Sequence, residues 1–154
     1  MNKILKVEKE LEIPFHDVDA MKIVWHGHYY KYFEIARTAL FKSIDYDVNE
    51  MLQSEYGWPV VETHCRYLHP LVYGMKIRVV ATLLEYEHRV KIGYEILEET
   101  TGKRMCKGTT FQVAYDMRKK ETCLVTPAVF LNKLKRFGES KVQVDHNDIG
   151  KFKE

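Results

Sequence analysis

Residues 17–37 read DVDAMKIVWHGHYYKYFEIAR, and the fold turns on this stretch. Asp17 and Asp19 open it, an apolar patch of Ile23, Val24 and Trp25 follows, and His26-Gly27-His28 leads into an aromatic-rich segment. From Tyr29 to Ile44 the apolar side chains fall at 29, 32, 33, 36, 40, 41 and 44. These i, i+3, i+4 steps predict an α-helix with one buried stripe. A polar loop with two acids and two histidines therefore feeds the N-terminus of a long helix. The first N–H groups of a helix have no intrahelical partner, and the helix dipole is positive there. A carbonyl oxygen held at that point would be polarised, and an oxyanion forming on it would be stabilised.

Upstream, Leu5, Val7, Leu11, Ile13 and Phe15 stand among charges. The period-two alternation from Leu11 to Phe15 predicts a first strand, with Pro14 marking an edge position or a strand end. Downstream, Asp45 to Glu55 carries Val48, Met51 and Leu52 at helical spacing. That predicts a second, shorter helix capped by Asp47 or Asn49 and ended by Tyr56-Gly57. After residue 57 the period becomes two. Strands are expected over Pro59–Leu68, with Val61, Thr63, Cys65 and Tyr67 on one face, and over Met75–Tyr86, with Ile77, Val79, Ala81 and Leu83 on one face. Two more are expected over Arg89–Leu97, with Val90, Ile92, Tyr94 and Ile96 on one face, and over Arg104–Tyr115, where larger residues alternate with smaller ones. Thr100 to Lys103 suits a hairpin, because Gly102 can take positive φ. Pro127 opens a last amphipathic segment ending near Phe137, and residues 138–154 read as a polar, frayed tail. One helix cannot bury its stripe alone, so the economical α+β arrangement is a curved antiparallel sheet wrapped around it, in a single domain over residues 1–137.

At 154 residues the chain is long enough to bury a core. Its 24 basic and 22 acidic residues leave +2 overall, which argues against a dedicated nucleic-acid binder. No apolar run reaches membrane-spanning length. Lys and Glu stand throughout the apolar residues of MNKILKVEKELEI, unlike a signal peptide. Cys65, Cys106 and Cys123 are odd in number and lack CxxC spacing, as expected of reduced thiols in a cytoplasmic protein.

The loop and helix resemble the hotdog-fold acyl-CoA thioesterases of the 4-hydroxybenzoyl-CoA thioesterase superfamily, and in particular the Tol–Pal-associated branch. The family pattern is Asp-x-Asp-x-x-Gly-(Ile/Val)-Val-(Tyr/Trp)-(His/Tyr)-x-x-Tyr, running into a helix with Phe-Glu-x-Ala-Arg. The matching residues are Asp17, Asp19, Ile23, Val24, Trp25, His26 and Tyr29, then Phe33, Glu34, Ala36 and Arg37, with Tyr67 and Pro70 matching a later Tyr-x-x-Pro feature. The resemblance covers about residues 8–135. It implies a hotdog fold, active sites at a dimer interface, and hydrolysis of an acyl-CoA with no cofactor beyond the coenzyme A of the substrate. It implies Asp19 as the catalytic aspartate, His26 as the histidine of the His-bearing branch and Tyr29 as the aromatic opening the helix. Lys22 stands at the motif glycine. If that site needs positive φ, the lysine either shifts the loop or brings a cation towards the substrate. His28 stands where relatives often have Asn or Ser.

Thioester hydrolysis needs an activated nucleophile and a stabilised oxyanion. No Gly-x-Ser-x-Gly elbow is present. Asp19 would attack the thioester carbon or act as general base on water, and both routes stay open. Backbone N–H groups around Gly27, His28 and Tyr29 would hold the oxyanion, with His26 beside them. The ordinary role for an Asp here is turn or helix capping; the motif favours catalysis for Asp19 and structure for Asp17. A zinc site built from His26, His28 and the two acids is disfavoured by the positive helix end. For coenzyme A phosphates the cationic candidates are Arg89, Lys91, Arg104, Lys107 and the Arg118-Lys119-Lys120 turn. The expected partners are an acyl-CoA and further copies of the chain, as homodimer or homotetramer. The competing readings are an acyl carrier protein thioesterase, a non-catalytic acyl-CoA binding module on the same fold, and a metal-dependent hydrolase.

Overall fold

In the computed structural model, which describes residues 4–139, the apolar stripe of the long helix lies on one face of an antiparallel sheet. In chain order the elements are β1 (Lys6–Glu12), α1 (Tyr29–Ser43), α2 (Val48–Ser54), β2 (Tyr56–Gly57), β3 (Val60–Tyr67), β4 (Lys76–Glu85), β5 (Val90–Glu98), β6 (Arg104–Gln112), β7 (Tyr115–Asp116), β8 (Glu121–Thr122) and α3 (Ala128–Glu139). The five long strands are ordered β1-β4-β5-β6-β3, and the three short ones form a separate ribbon, β2-β7-β8. The consecutive strands β4, β5 and β6 make the expected meander, with Gly102 at φ 72° in the hairpin between β5 and β6.

Residues two apart in a strand share a face, and the register shows which face meets α1. Ile77, Val79 and Ala81 of β4, and Ile92, Tyr94 and Ile96 of β5, are buried there. In β6 the smaller residues turn towards the helix: Gly108 pairs with Tyr94, and Cys106 with Ile96. The reason is the Phe33 ring, which stacks on Tyr94 with centroids 4.4 Å apart. A Cβ on Gly108 would lie 2.6 Å from that ring, so only glycine lets α1 settle this close. The Tyr94 hydroxyl finds Thr110 Oγ1 at 2.8 Å, so the ring is buried without an orphaned polar atom. Burying each of Phe33, Leu40 and Phe41 of α1 contributes about 1.5–3 kcal/mol. At the far end of α1, Phe130 of α3 packs edge-on against Phe41 and Tyr46.

Three local expectations shift. The first strand is Lys6–Glu12 rather than Leu11–Phe15. Pro14 has no N–H to give a ladder, and the chain bends into a 3₁₀ turn over Phe15–Asp17. Ile13 is buried in the core and its N–H donates to the Met75 carbonyl, while Phe15 is exposed. The second helix is shorter than Asp45–Glu55. Asp47 is its N-cap residue but makes no capping bond; its carboxylate lies 3.8 Å from Lys42 Nζ. Glu55, at φ 62°, ends the helix before Tyr56-Gly57 enters β2. The last helix continues two residues past Phe137, and residues 140–154, the rest of the expected tail, lie outside the described residues.

Candidate active site

The loop between β1 and α1 is a miniature hairpin standing on the helix. Val18 bridges to Val24, and Ile23 bridges to Val72. At its tip the Asp19 N–H donates to the Ile23 carbonyl at 2.9 Å, and the Lys22 N–H donates to the Asp19 carbonyl at 2.9 Å. Lys22 sits at φ 64°, in the left-handed region that the glycine of the family pattern would occupy freely. The lysine takes the left-handed conformation that favours glycine.

The two acids divide the work in a way their spacing does not reveal. Asp17 is buried. Its carboxylate accepts from Lys31 Nζ and from the Tyr32 hydroxyl at 2.6 Å, both on the first turns of α1. Its backbone carbonyl accepts the Trp25 N–H at 3.1 Å. Burial alone would raise its pKa, but the bonds from Lys31 and Tyr32 and the Lys31 charge bring it below the usual aspartate value. Tyr32 is pushed up by its burial and by the Asp17 carboxylate. Asp17 is thus the clamp between hairpin and helix. Asp19 is exposed at the tip, where Oδ1 accepts the Met21 N–H at 2.8 Å. This Asx turn fixes the carboxylate on a short lever above the loop.

The His26–His28 run forms a 3₁₀ turn that passes directly into α1. The His28 N–H already donates to the Trp25 carbonyl at 3.0 Å, so of the three expected oxyanion donors it is occupied within the turn. Trp25 lies over the turn, its ring 4.9 Å from His26 and 5.3 Å from His28. A Cβ on Gly27 would come within 2.2 Å of that indole, which is why a glycine stands there without needing positive φ. The Tyr67 hydroxyl, from the end of β3, donates to the His26 carbonyl at 2.8 Å. Tyr29 is buried against Tyr67, 4.7 Å between rings, and burial pushes its pKa up to about 12. His26, Gly27, His28 and Tyr29 therefore form one group with Trp25 and Tyr67. Asp19 stands apart from it on the hairpin tip, and among the described residues no hydrogen bond joins its carboxylate to His26. No group of three or more His, Cys, Asp or Glu side chains among the described residues is placed to hold a metal ion.

Lys31, Trp25 and Tyr67 are the residues to which the sequence reading gave no role in the site; Tyr32 it placed in the aromatic cluster of the buried stripe. Tyr32 carried a signal: a tyrosine on the buried stripe needs a partner for its hydroxyl. Beneath Tyr67, the Cys65 and Cys106 sulfurs are 3.5 Å apart. The bond from Cys106 holds the Cys65 thiol below its ordinary pKa, while Cys106 is fully buried and pushed up. Of the cationic candidates, Arg89 lies 4.1 Å above the Phe111 ring and pairs with Glu85, Arg104 pairs with buried Glu95 at 2.8 Å, and Arg118 pairs with Glu55 at 2.7 Å.

A family model described as the thioesterase-like superfamily matches residues 13–134. The chain is 32% identical over 111 residues to the "Putative acyl-CoA thioesterase YneP" of Bacillus subtilis (strain 168), covering 71% of this chain and 79% of that protein. Its backbone resembles that of a DHNA-CoA thioesterase from Staphylococcus aureus at TM-score 0.76 and 20% identity, over 87% of this chain and 89% of the other. It also resembles a hypothetical protein from the same organism solved in complex with CoA, at TM-score 0.77 and 13% identity, over 99% and 94%. The helix-on-sheet architecture is the hotdog fold that the loop motif implied. No helix among the described residues is long and apolar enough to cross a membrane.

Proposed function

The chain belongs to the thioesterase-like superfamily, and on that premise we propose that it hydrolyses acyl-CoA thioesters to a free acid and coenzyme A. The observation that carries this reading is the exposed Asp19 carboxylate, fixed by the Met21 N–H at the tip of a hairpin that Asp17 clamps to α1. In the reaction, oxygen from water ends on the acyl carbon, the carbon–sulfur bond breaks, and the thiolate takes a proton. Asp19 serves as nucleophile or general base, and N–H groups of the turn, Gly27 and Tyr29 among them, polarise the thioester carbonyl where the helix dipole is positive. His26 lies at the same place as a hydrogen-bonding partner. His28 and Tyr29 line the acyl side, Tyr29 as a buried aromatic wall.

The active unit is a homo-oligomer. Seven of the eight residues of β3, all but Cys65, are exposed, including Val60, Val61 and Tyr67. A long exposed apolar edge invites pairing with another strand, and a second copy supplies one. That second copy also gives the Asp19 tip an opposing surface.

The test is thiol release from a panel of short, long, branched and aromatic acyl-CoAs, with Asp19→Asn beside the wild type. Release that depends on Asp19 is expected. Saturable acyl-CoA binding without turnover would replace the enzyme with a binding module, and turnover restricted to acyl carrier protein thioesters would move the substrate to the carrier. Sedimentation of the wild type is expected to give a dimer or tetramer.

A further inference from the structure

Tyr67 ends β3 and stands opposite Cys106 in register, on the face of the sheet that carries α1. The chain just beyond it is pinned, because the Leu68 and His69 N–H groups both donate to the Met105 carbonyl at 3.1 Å. The Tyr67 ring is held edge-on between the Tyr29 ring, 4.7 Å away, and the His26 imidazole, 6.4 Å away. Yet the residue is 44% exposed, so filling the core is not its purpose. Partial burial and the neighbouring Cys65 thiol push its pKa up, so the hydroxyl keeps its proton and donates. These contacts fix one oxygen in space, with its proton on the His26 carbonyl at 2.8 Å.

The acceptor decides what that bond does. A trans peptide is planar, and its C=O and N–H point in opposite directions. The His26 carbonyl and the Gly27 N–H belong to one such plane, so fixing the carbonyl fixes the N–H. In a helical turn the carbonyls point towards the C-terminus and the first N–H groups point out of the N-terminal end. The Gly27 N–H has no acceptor among the described residues, whereas the His28 N–H is spent on the Trp25 carbonyl. Gly27 also needs a restraint from outside. Glycine has the widest backbone freedom, and the Trp25 indole leaves no room for any other residue there. The bond does more than orient. A carbonyl that accepts a hydrogen bond makes the N–H of the same peptide a stronger donor. As a stabilising contact it would be poor, because water can serve an exposed carbonyl and the net gain is small.

We propose that Tyr67 is a positioning residue for thioester cleavage: through the His26 carbonyl it aims and strengthens the Gly27 N–H as a donor to the thioester oxygen. The assignment rests on the thioesterase reading above, and its test separates the two. Tyr67→Phe keeps the ring against Tyr29 and His26 and removes only the hydroxyl. Loss of a whole oxyanion donor lowers kcat by about 10²–10³-fold, so loosening one should lower it about tenfold. KM should stay within about twofold, because the donor acts on charge that develops in the transition state, and Tm should stay close to wild type. The second readout is the infrared carbonyl band of an isotopically labelled acyl-CoA bound to the Asp19→Asn protein. The band should move to lower wavenumber on binding, and the displacement should shrink when Tyr67→Phe is added. A purely structural Tyr67 would lower Tm or raise KM and leave the band where it was; that result overturns the assignment, as does wild-type kcat in Tyr67→Phe. If Tyr67→Phe does not fold, a ring-fluorinated tyrosine at 67, whose more acidic hydroxyl is a stronger donor, should displace the band further, and an unmoved band overturns the assignment. If the wild type binds acyl-CoA without cleaving it, the thioesterase reading falls and the band still decides. A displacement that Tyr67→Phe loses keeps Tyr67 as the group that aims the Gly27 N–H in a binding site. No displacement, or an equal one in both proteins, removes it, and an acyl-CoA that neither binds nor turns over removes both readings.

Discussion

Asp17 and Asp19 carry the same carboxylate two residues apart, yet one is sealed between the hairpin and α1 and the other stands in solvent at the hairpin tip. Alternation in an extended segment sends neighbouring-but-one side chains to the same side, and a 3₁₀ turn ending at Asp17 breaks that rule here. The buried carboxylate is satisfied by Lys31 and Tyr32 and has no capacity left for chemistry. The exposed one spends one oxygen on the Met21 N–H and keeps the other available. A reactive group and the group that holds it steady can thus be the same residue type, separated by a single valine.

The largest effect expected from this division is on turnover. Asp19→Asn should lower kcat by about 10²–10⁴-fold, the range for losing a positioned base, with Tm unchanged because the amide oxygen still accepts the Met21 N–H. Wild-type turnover in that variant would break the contrast outright. Asp17→Asn should cost about 2 kcal/mol of stability, the loss of hydrogen bonds to a charged group discounted for the partial exposure of Lys31. Urea unfolding of the two variants side by side checks it. The same change should flatten the acid limb of stability. The native Asp17 pKa lies below the unfolded value of about 3.9, so its contribution is complete above that value and is lost as pH falls through the native one. Gly27→Ala should push the Trp25 indole out over solvent, shifting its emission to the red at a cost near 1 kcal/mol. The smallest effect should come from Lys22→Gly. Relief of the left-handed conformation gains about 1–2 kcal/mol and the looser unfolded chain takes back about 0.5–1, so a net stabilisation of roughly 0.5 kcal/mol is expected in thermal unfolding.

The long helix was legible because its apolar residues keep one period for sixteen positions, from Tyr29 to Ile44. The meander was legible because Ile77, Val79, Ala81 and Leu83 alternate without interruption. The start of β1 was not, because strand membership there is decided by backbone pairing with β4, seventy residues away, rather than by its own pattern. The face of β6 was not, because the choice belongs to the Phe33 ring and not to the strand. In the site, the motif located the loop and the helix start. The clamp on Asp17 and the bond from the Tyr67 hydroxyl to the His26 backbone carbonyl join groups fifteen and forty-one positions apart, which no local spacing encodes.

The strand order also sets a schedule for synthesis. Both outer strands and α1 precede the three central strands in the chain. The seat for Phe33 does not exist until β6 has been made, about seventy residues after α1 is complete. At about 5–20 residues per second, the apolar stripe of a nascent α1 waits several seconds before it can be covered. The waiting helix is the part of the chain that a holding chaperone would meet first.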